Sequence, residues 1–110
     1  MTSVKFLADE NGLYGFEISG HSSRNGDDEI GKIVCSAVSS AAYMAANTIT
    51  EIIGDKADAV VDEAVMRFKV LNPSEASKVV LKGLELHLRE LSDDYSNNIK
   101  IYGGANYVKD

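Results

Sequence analysis

The sequence is poor in the residues that most often declare a function: it has one cysteine, one proline, two histidines and no tryptophan in 110 positions. A lone cysteine forms no internal disulfide, and a thiolate zinc cluster needs more ligands than this chain supplies. Neither a metal nor a cofactor is expected. Cations are also scarce, with 11 Lys and Arg against 17 Asp and Glu, a formal charge of −6 and a pI near 4.8. Phosphate contacts need clustered Lys and Arg, so direct nucleic-acid binding is disfavoured and a neutral or basic protein partner fits better. No run of 18 apolar residues offers a membrane span. The opening Met1-Thr2-Ser3-Val4-Lys5-Phe6 has no signal-peptide core, which leaves the reducing cytoplasm as the expected compartment.

What is present describes an ordinary soluble chain, 45% hydrophobic and 25% charged. That length and composition predict one globular domain over residues 1–110. Val4, Phe6 and Ala8 alternate with other residues before Asn11-Gly12, and Tyr14, Phe16 and Ile18 alternate after it. This predicts a hairpin with strands over 3–9 and 13–19. Gly15 inside the second strand marks a bulge or a close backbone approach.

Residues 21–32 are polar and contain Gly26 and Gly31, as a surface loop would. From Ile33 to Ile53 there is neither Gly nor Pro. Val34, Ala37, Val38, Ala41, Ala42, Ala45, Ile49 and Ile52 recur at steps of three and four, predicting a helix stopped by Gly54. Ser36, Ser39, Ser40, Ala45 and Ala46 keep its surface thin enough for another backbone to approach.

Ala57, Ala59 and Val61, a turn at Asp62-Glu63, and Val65 to Leu71 predict a second hairpin. A second helix should follow, with Asn72 as cap, Pro73 in the first helical position and Glu75 completing a capping box. Its buried stripe is expected to be Val80, Leu81, Leu84, Leu88, Leu91 and Tyr95, with the end near Asp93 and His87 exposed. Asn98 to Tyr102 reads as a short final strand, and Gly103-Gly104 as the start of a loose tail. The order β-β-α-β-β-α predicts an α+β two-layer sandwich, an antiparallel sheet with both helices on one face.

The chemistry concentrates between Gly20 and Ser39, where His21 and Cys35 are separated by thirteen residues. A cysteine at a helix entry, with an imidazole on the neighbouring strand end, has the parts for acyl transfer. His21 would take the thiol proton, and the Cys35 and Ser36 amides would hold the oxyanion. The same residues also fit a plainer arrangement in which Cys35 is a small buried hydrophobe and His21 a turn residue. Asp27, Asp28 and Glu29 fit a solvated loop better than a metal site.

Gly20-His21, the polar loop and Ile33-Val34-Cys35-Ser36-Ala37-Val38-Ser39 together resemble the ribosomal-processing cysteine protease family, Prp. The likeness extends to chain length, element order and the Ser92-Asp93-Asp94-Tyr95 region. The resemblance implies a homodimeric, cytoplasmic bacterial cysteine endopeptidase that removes the N-terminal extension of a large-subunit ribosomal protein. By the same resemblance His21 is the base, Cys35 the nucleophile, and Gly20 and Ser39 shape the site. Lys32 stands where that family often has an aspartate, so an orienting acid is expected from Asp27 or Asp28. The alternative is a non-catalytic ribosome-associated binding module, or a dimeric structural module, of the same fold.

Overall fold

The computed structural model describes residues 1–20, 29–63 and 65–104. The first hairpin pairs β1 (Thr2–Asp9) with β2 (Gly12–Ser19), and the Asp9 carboxylate accepts the Asn11 N–H at 2.8 Å to tighten the turn. A register shift between Leu7 and Ala8 forms the bulge. Gly15 sits beside it because a Cβ there would collide with the Phe68 carbonyl on the adjacent strand, the close approach anticipated for a strand glycine.

Helix α1 (Glu29–Asn47) begins four residues earlier than the expected Ile33. Glu29 in its first turn complements the positive end of the helix dipole. Gly31, read as a loop residue, is buried in the same turn. The helix then runs into a π-helical turn, Thr48–Ile53. Thr48 and Thr50 hydroxyls bond back to the Met44 and Ala46 carbonyls at 2.7 and 3.1 Å, and Gly54 N–H closes the wide turn on the Ile49 carbonyl at 2.9 Å. Widening the turn rotates Ile52 out of the expected apolar stripe and leaves it 79% exposed, while Ile53 packs on the core instead. The whole Glu29–Ile53 stretch is long and apolar enough to cross a membrane by length and composition. Here it is the core helix, burying Val34, Val38, Ala42, Ala45 and Ile49.

The second hairpin joins β3 (Ala57–Val61) to β4 (Val65–Val70), and the Asp62 carboxylate accepts the Val65 N–H at 2.9 Å across the turn. Helix α2 (Glu75–Asp94) is capped by Ser74 rather than by the expected Asn72, which puts Pro73 outside the helix and leaves Glu75 without a capping-box role. Asp55 is the cause: one carboxylate oxygen accepts Ser74 N–H, Ser74 Oγ–H and Ser77 Oγ–H at 2.9, 2.8 and 2.6 Å, fixing Ser74 at the cap position. Leu81, Leu84 and Leu88 are buried as the heptad spacing requires, whereas Tyr95 is the exposed C-cap and not part of the stripe.

Strand β5 (Ile99–Gly103) joins β1 in parallel, so the sheet is mixed, with order β3-β4-β2-β1-β5. Gly103 belongs to this strand and is not the loose tail expected. Its carbonyl accepts Arg89 Nη2–H at 3.1 Å, and the same guanidinium pairs with the buried Glu85 carboxylate at 2.9 Å. One sheet face supplies Val4, Phe6, Phe16, Ile18, Met66, Phe68, Val70 and Ile99 to the core beneath both helices. The α+β two-layer sandwich expected from the sequence is the fold observed.

Candidate active site

The end of β2 away from the hairpin turn, the β3–β4 turn and α1 converge at one end of the sheet. Strand β2 ends at Ser19 and turns outward at Gly20, where φ is +79° and a Cβ would press on the Met1 carbonyl. Only glycine takes that backbone and that approach together. Above this turn, α1 lowers the face carrying Cys35, Ser39 and Tyr43, residues four apart that stack along one side of a helix. A cleft of about 110 Å³ forms between them, lined by Ile18, Gly20, Cys35, Ser39, Val61 and Glu63, with Tyr43, Asp62, Val65 and Met66 completing its walls.

The thiol is half-buried and faces this cleft. It is therefore not a sealed core residue, which removes the plainer reading of Cys35. Gly20 lines the same cleft, so the chain leaves the cleft wall at the residue that precedes His21. His21 itself, with Asp27 and Asp28, lies outside the described residues. Ser39 shares the cleft with Cys35; Ser36 points away from it and is exposed.

One part of the expected chemistry changes with the helix start. Cys35 is the seventh residue of α1. The unpaired N–H groups of a helix are its first four, so the Cys35 and Ser36 amides lie inside the helical ladder and cannot serve as the oxyanion donors. The Ser39 hydroxyl is a donor that the cleft does contain. Lys32 is exposed in the first turn and is absent from the cleft lining.

Tyr43 and the Asp62-Glu63 turn are the site residues that sequence reading missed. The four-residue step from Cys35 through Ser39 was the available signal for Tyr43. Nothing local marked Asp62 and Glu63, because β4 must pair with β2 before their turn reaches α1. His87 is exposed and lines a separate, larger groove of about 630 Å³ between α1 and α2, together with Ala37, Ala41, Met44 and Gly83. That groove shares no residue with the Cys35 cleft, so His87 is not the partner of the thiol.

Comparison with known proteins bears on the family and the fold. No curated protein matches the chain. Among solved structures, the essential ribosomal processing protease Prp from S. aureus, in complex with a covalently linked product peptide, superposes with a TM-score of 0.82. It is 18% identical, over 94% of this chain and 99% of that one. The crystal structure of SMU.848 from Streptococcus mutans superposes at 0.80, with 19% identity over 94% of this chain and 95% of that one. At such identities these likenesses speak for the fold. The family model for cysteine protease Prp, however, matches residues 1–100, and the chain belongs to that family.

Proposed function

We propose that this protein is an endopeptidase of ribosome maturation in which Cys35 is the nucleophile and His21 the general base. The observation that carries this reading is that the single thiol of a cysteine-protease family member opens into a cleft whose wall includes Gly20, the residue before the histidine. His21 takes the Sγ proton, and the thiolate attacks the carbonyl carbon of the scissile peptide bond. The Ser39 hydroxyl donates into the cleft where the oxyanion develops. Collapse of the tetrahedral species expels the amine, which leaves with the proton from the imidazolium. Water, deprotonated by the same imidazole, then hydrolyses the thioester and frees the thiol. Asp27 or Asp28 is the candidate for the acid that orients the imidazole.

The substrate is the N-terminal extension of a large-subunit ribosomal protein. A related structure from S. aureus is described as an essential ribosomal processing protease in complex with a substrate peptide, and an acidic chain of charge −6 steers a basic ribosomal protein toward itself. The enzyme works in the cytoplasm, as a homodimer. Support for the dimer is the apolar groove between α1 and α2, floored by Ala37, Ala41 and Gly83, with Met44 standing 66% exposed beside it. Small residues next to a protruding apolar one form a surface able to receive a second copy of itself.

Incubation with the ribosomal precursor tests the assignment. The wild type should release the extension, while Cys35→Ala and His21→Ala each lose roughly a thousandfold or more of that activity, as nucleophile and base knockouts do. Cys35→Ala should still bind the precursor. A non-catalytic module would leave the precursor intact in every form, and that result would replace the enzyme reading.

A further inference from the structure

Strand β3 ends the sheet, so only one of its edges is paired by the described residues. The paired edge determines what the other one offers. Asp62 N–H donates to the Val65 carbonyl at 3.0 Å and Leu71 N–H to the Lys56 carbonyl at 2.9 Å, so the even-numbered positions of β3 exchange bonds with β4. In an antiparallel ladder the intervening residues turn both N–H and C=O away from the partner. Ala57, Ala59 and Val61 therefore present their backbone donors and acceptors along the outer edge.

Their side chains point to the helix side, because their partners Val70, Phe68 and Met66 are buried there. The helices nevertheless stop short of β3: Ala59 is exposed, and Val61 is 54% exposed. This leaves a small apolar shelf beside a strand edge that no described residue pairs. Val61 also lines the Cys35 cleft, so the edge leads directly to the thiol.

Exposed apolar edges recruit other strands, and proteins usually blunt them with lysine or proline. Strand β3 itself carries neither, with Lys56 exposed just before its start. The charges within it and toward the cleft are Asp58, Asp62 and Glu63, and Glu63 stands exposed at the mouth of the cleft. The edge is thus complementary to an extended chain that sets apolar side chains on the shelf and basic ones beyond it.

We propose that the substrate binds as a sixth strand on the outer edge of β3, as an extended segment of alternating apolar and basic residues, and that Glu63 receives a Lys or Arg side chain beside the cleaved bond. The inference rests on Cys35 being the nucleophile, since that is what makes this edge the approach to a scissile bond. Strand addition supplies affinity through backbone bonds and specificity through every second side chain.

The test separates binding from cleavage by using the full-length Cys35→Ala protein. A fluorescein-labelled decapeptide alternating valine and lysine, and a set with each amide N-methylated in turn, are titrated by fluorescence anisotropy. Affinity should fall roughly threefold to tenfold at every second amide along the central stretch, and little at those between. Adding Glu63→Gln should remove most of the preference for the lysine peptide over its glutamine counterpart. Ala59→Pro deletes one outward N–H without touching the β4 ladder, and should weaken the peptide while leaving the oligomeric state unchanged. Uniform losses, no saturable binding, or an undiminished lysine preference in Glu63→Gln would overturn the proposal. So would dissociation of the dimer by Ala59→Pro, which would assign the edge to a second copy. If the alternation appears but the wild type cleaves no precursor, strand addition stands and the nucleophile assignment fails.

Discussion

At the scale of single residues the proposed site depends on one small side chain and one missing one. Cys35 keeps its sulfur at a cleft wall while Val34 and Val38, its helix neighbours, are buried. Gly20 turns the chain toward His21 with φ of +79°, and any side chain there meets the Met1 carbonyl. Gly20→Ala should therefore cost about 1–3 kcal/mol in chemical denaturation, the range for a non-glycine residue forced into left-handed backbone. Peptidase activity should fall further than the stability loss alone accounts for, since Gly20 lines the Cys35 cleft and directly precedes the proposed base. The spacing of His21 and Cys35 was legible in the sequence because both flank one polar segment. The first turn of α1 was not, because Gly31 reads as a loop residue until packing buries it. That one misplacement moved the supposed oxyanion donors from a helix terminus to a helix interior.

At the scale of elements, the junction between the π-helical turn and α2 is held by one carboxylate. Three donors from Ser74 and Ser77 converge on Asp55 and hold its carboxyl below the ordinary value of 3.8. A carboxyl lowered in the folded state contributes stability that is fully present above its unfolded value. That contribution is lost as pH falls through its lower folded value. Asp55→Asn should accordingly melt below the wild type at pH 7, and the gap should close as the two are compared at successively more acidic pH below about 4. A gap that widened with acid would contradict the assignment. Ser74→Ala removes the cap hydroxyl and should cost about 1 kcal/mol by urea titration.

Sequence periodicity located both helices and four strands because amphipathic spacing is local. It could not give the Asp55 staple, whose partners lie 19 and 22 residues away. Nor could it show that the π-helical turn would expel Ile52, since that depends on Thr48 and Thr50 choosing backbone carbonyls as partners.

At the scale of the molecule, the sheet separates three surfaces with different tasks. Its buried face carries Phe16 stacked on Phe68 with ring centroids 5.4 Å apart, beneath both helices. Phe68→Ala should destabilise the fold by about 3–5 kcal/mol, measured by denaturant titration, as for other large buried aromatics. The helical surface presents the apolar groove on one side of α1, and the thiol cleft lies on the other. Met44→Glu, which places a charge beside the groove, should convert the proposed dimer to a monomer in sedimentation equilibrium at micromolar protein. It should leave the rate of Cys35 alkylation unchanged, because the two clefts share no residue. The direction of β5 was not legible from sequence, since a five-residue strand after a helix can join either edge in either sense. In the structure β5 pairs in parallel with β1, and Arg89 donates to the Gly103 carbonyl at its end.

The central claim is that one imidazole activates one thiol, and the rate of Cys35 alkylation by iodoacetamide at pH 7 reads this without any knowledge of the substrate. Wild-type protein should react at least tenfold faster than His21→Ala, with both folded to the same melting temperature. Equal rates in the two proteins would contradict the pairing on which the enzyme is built.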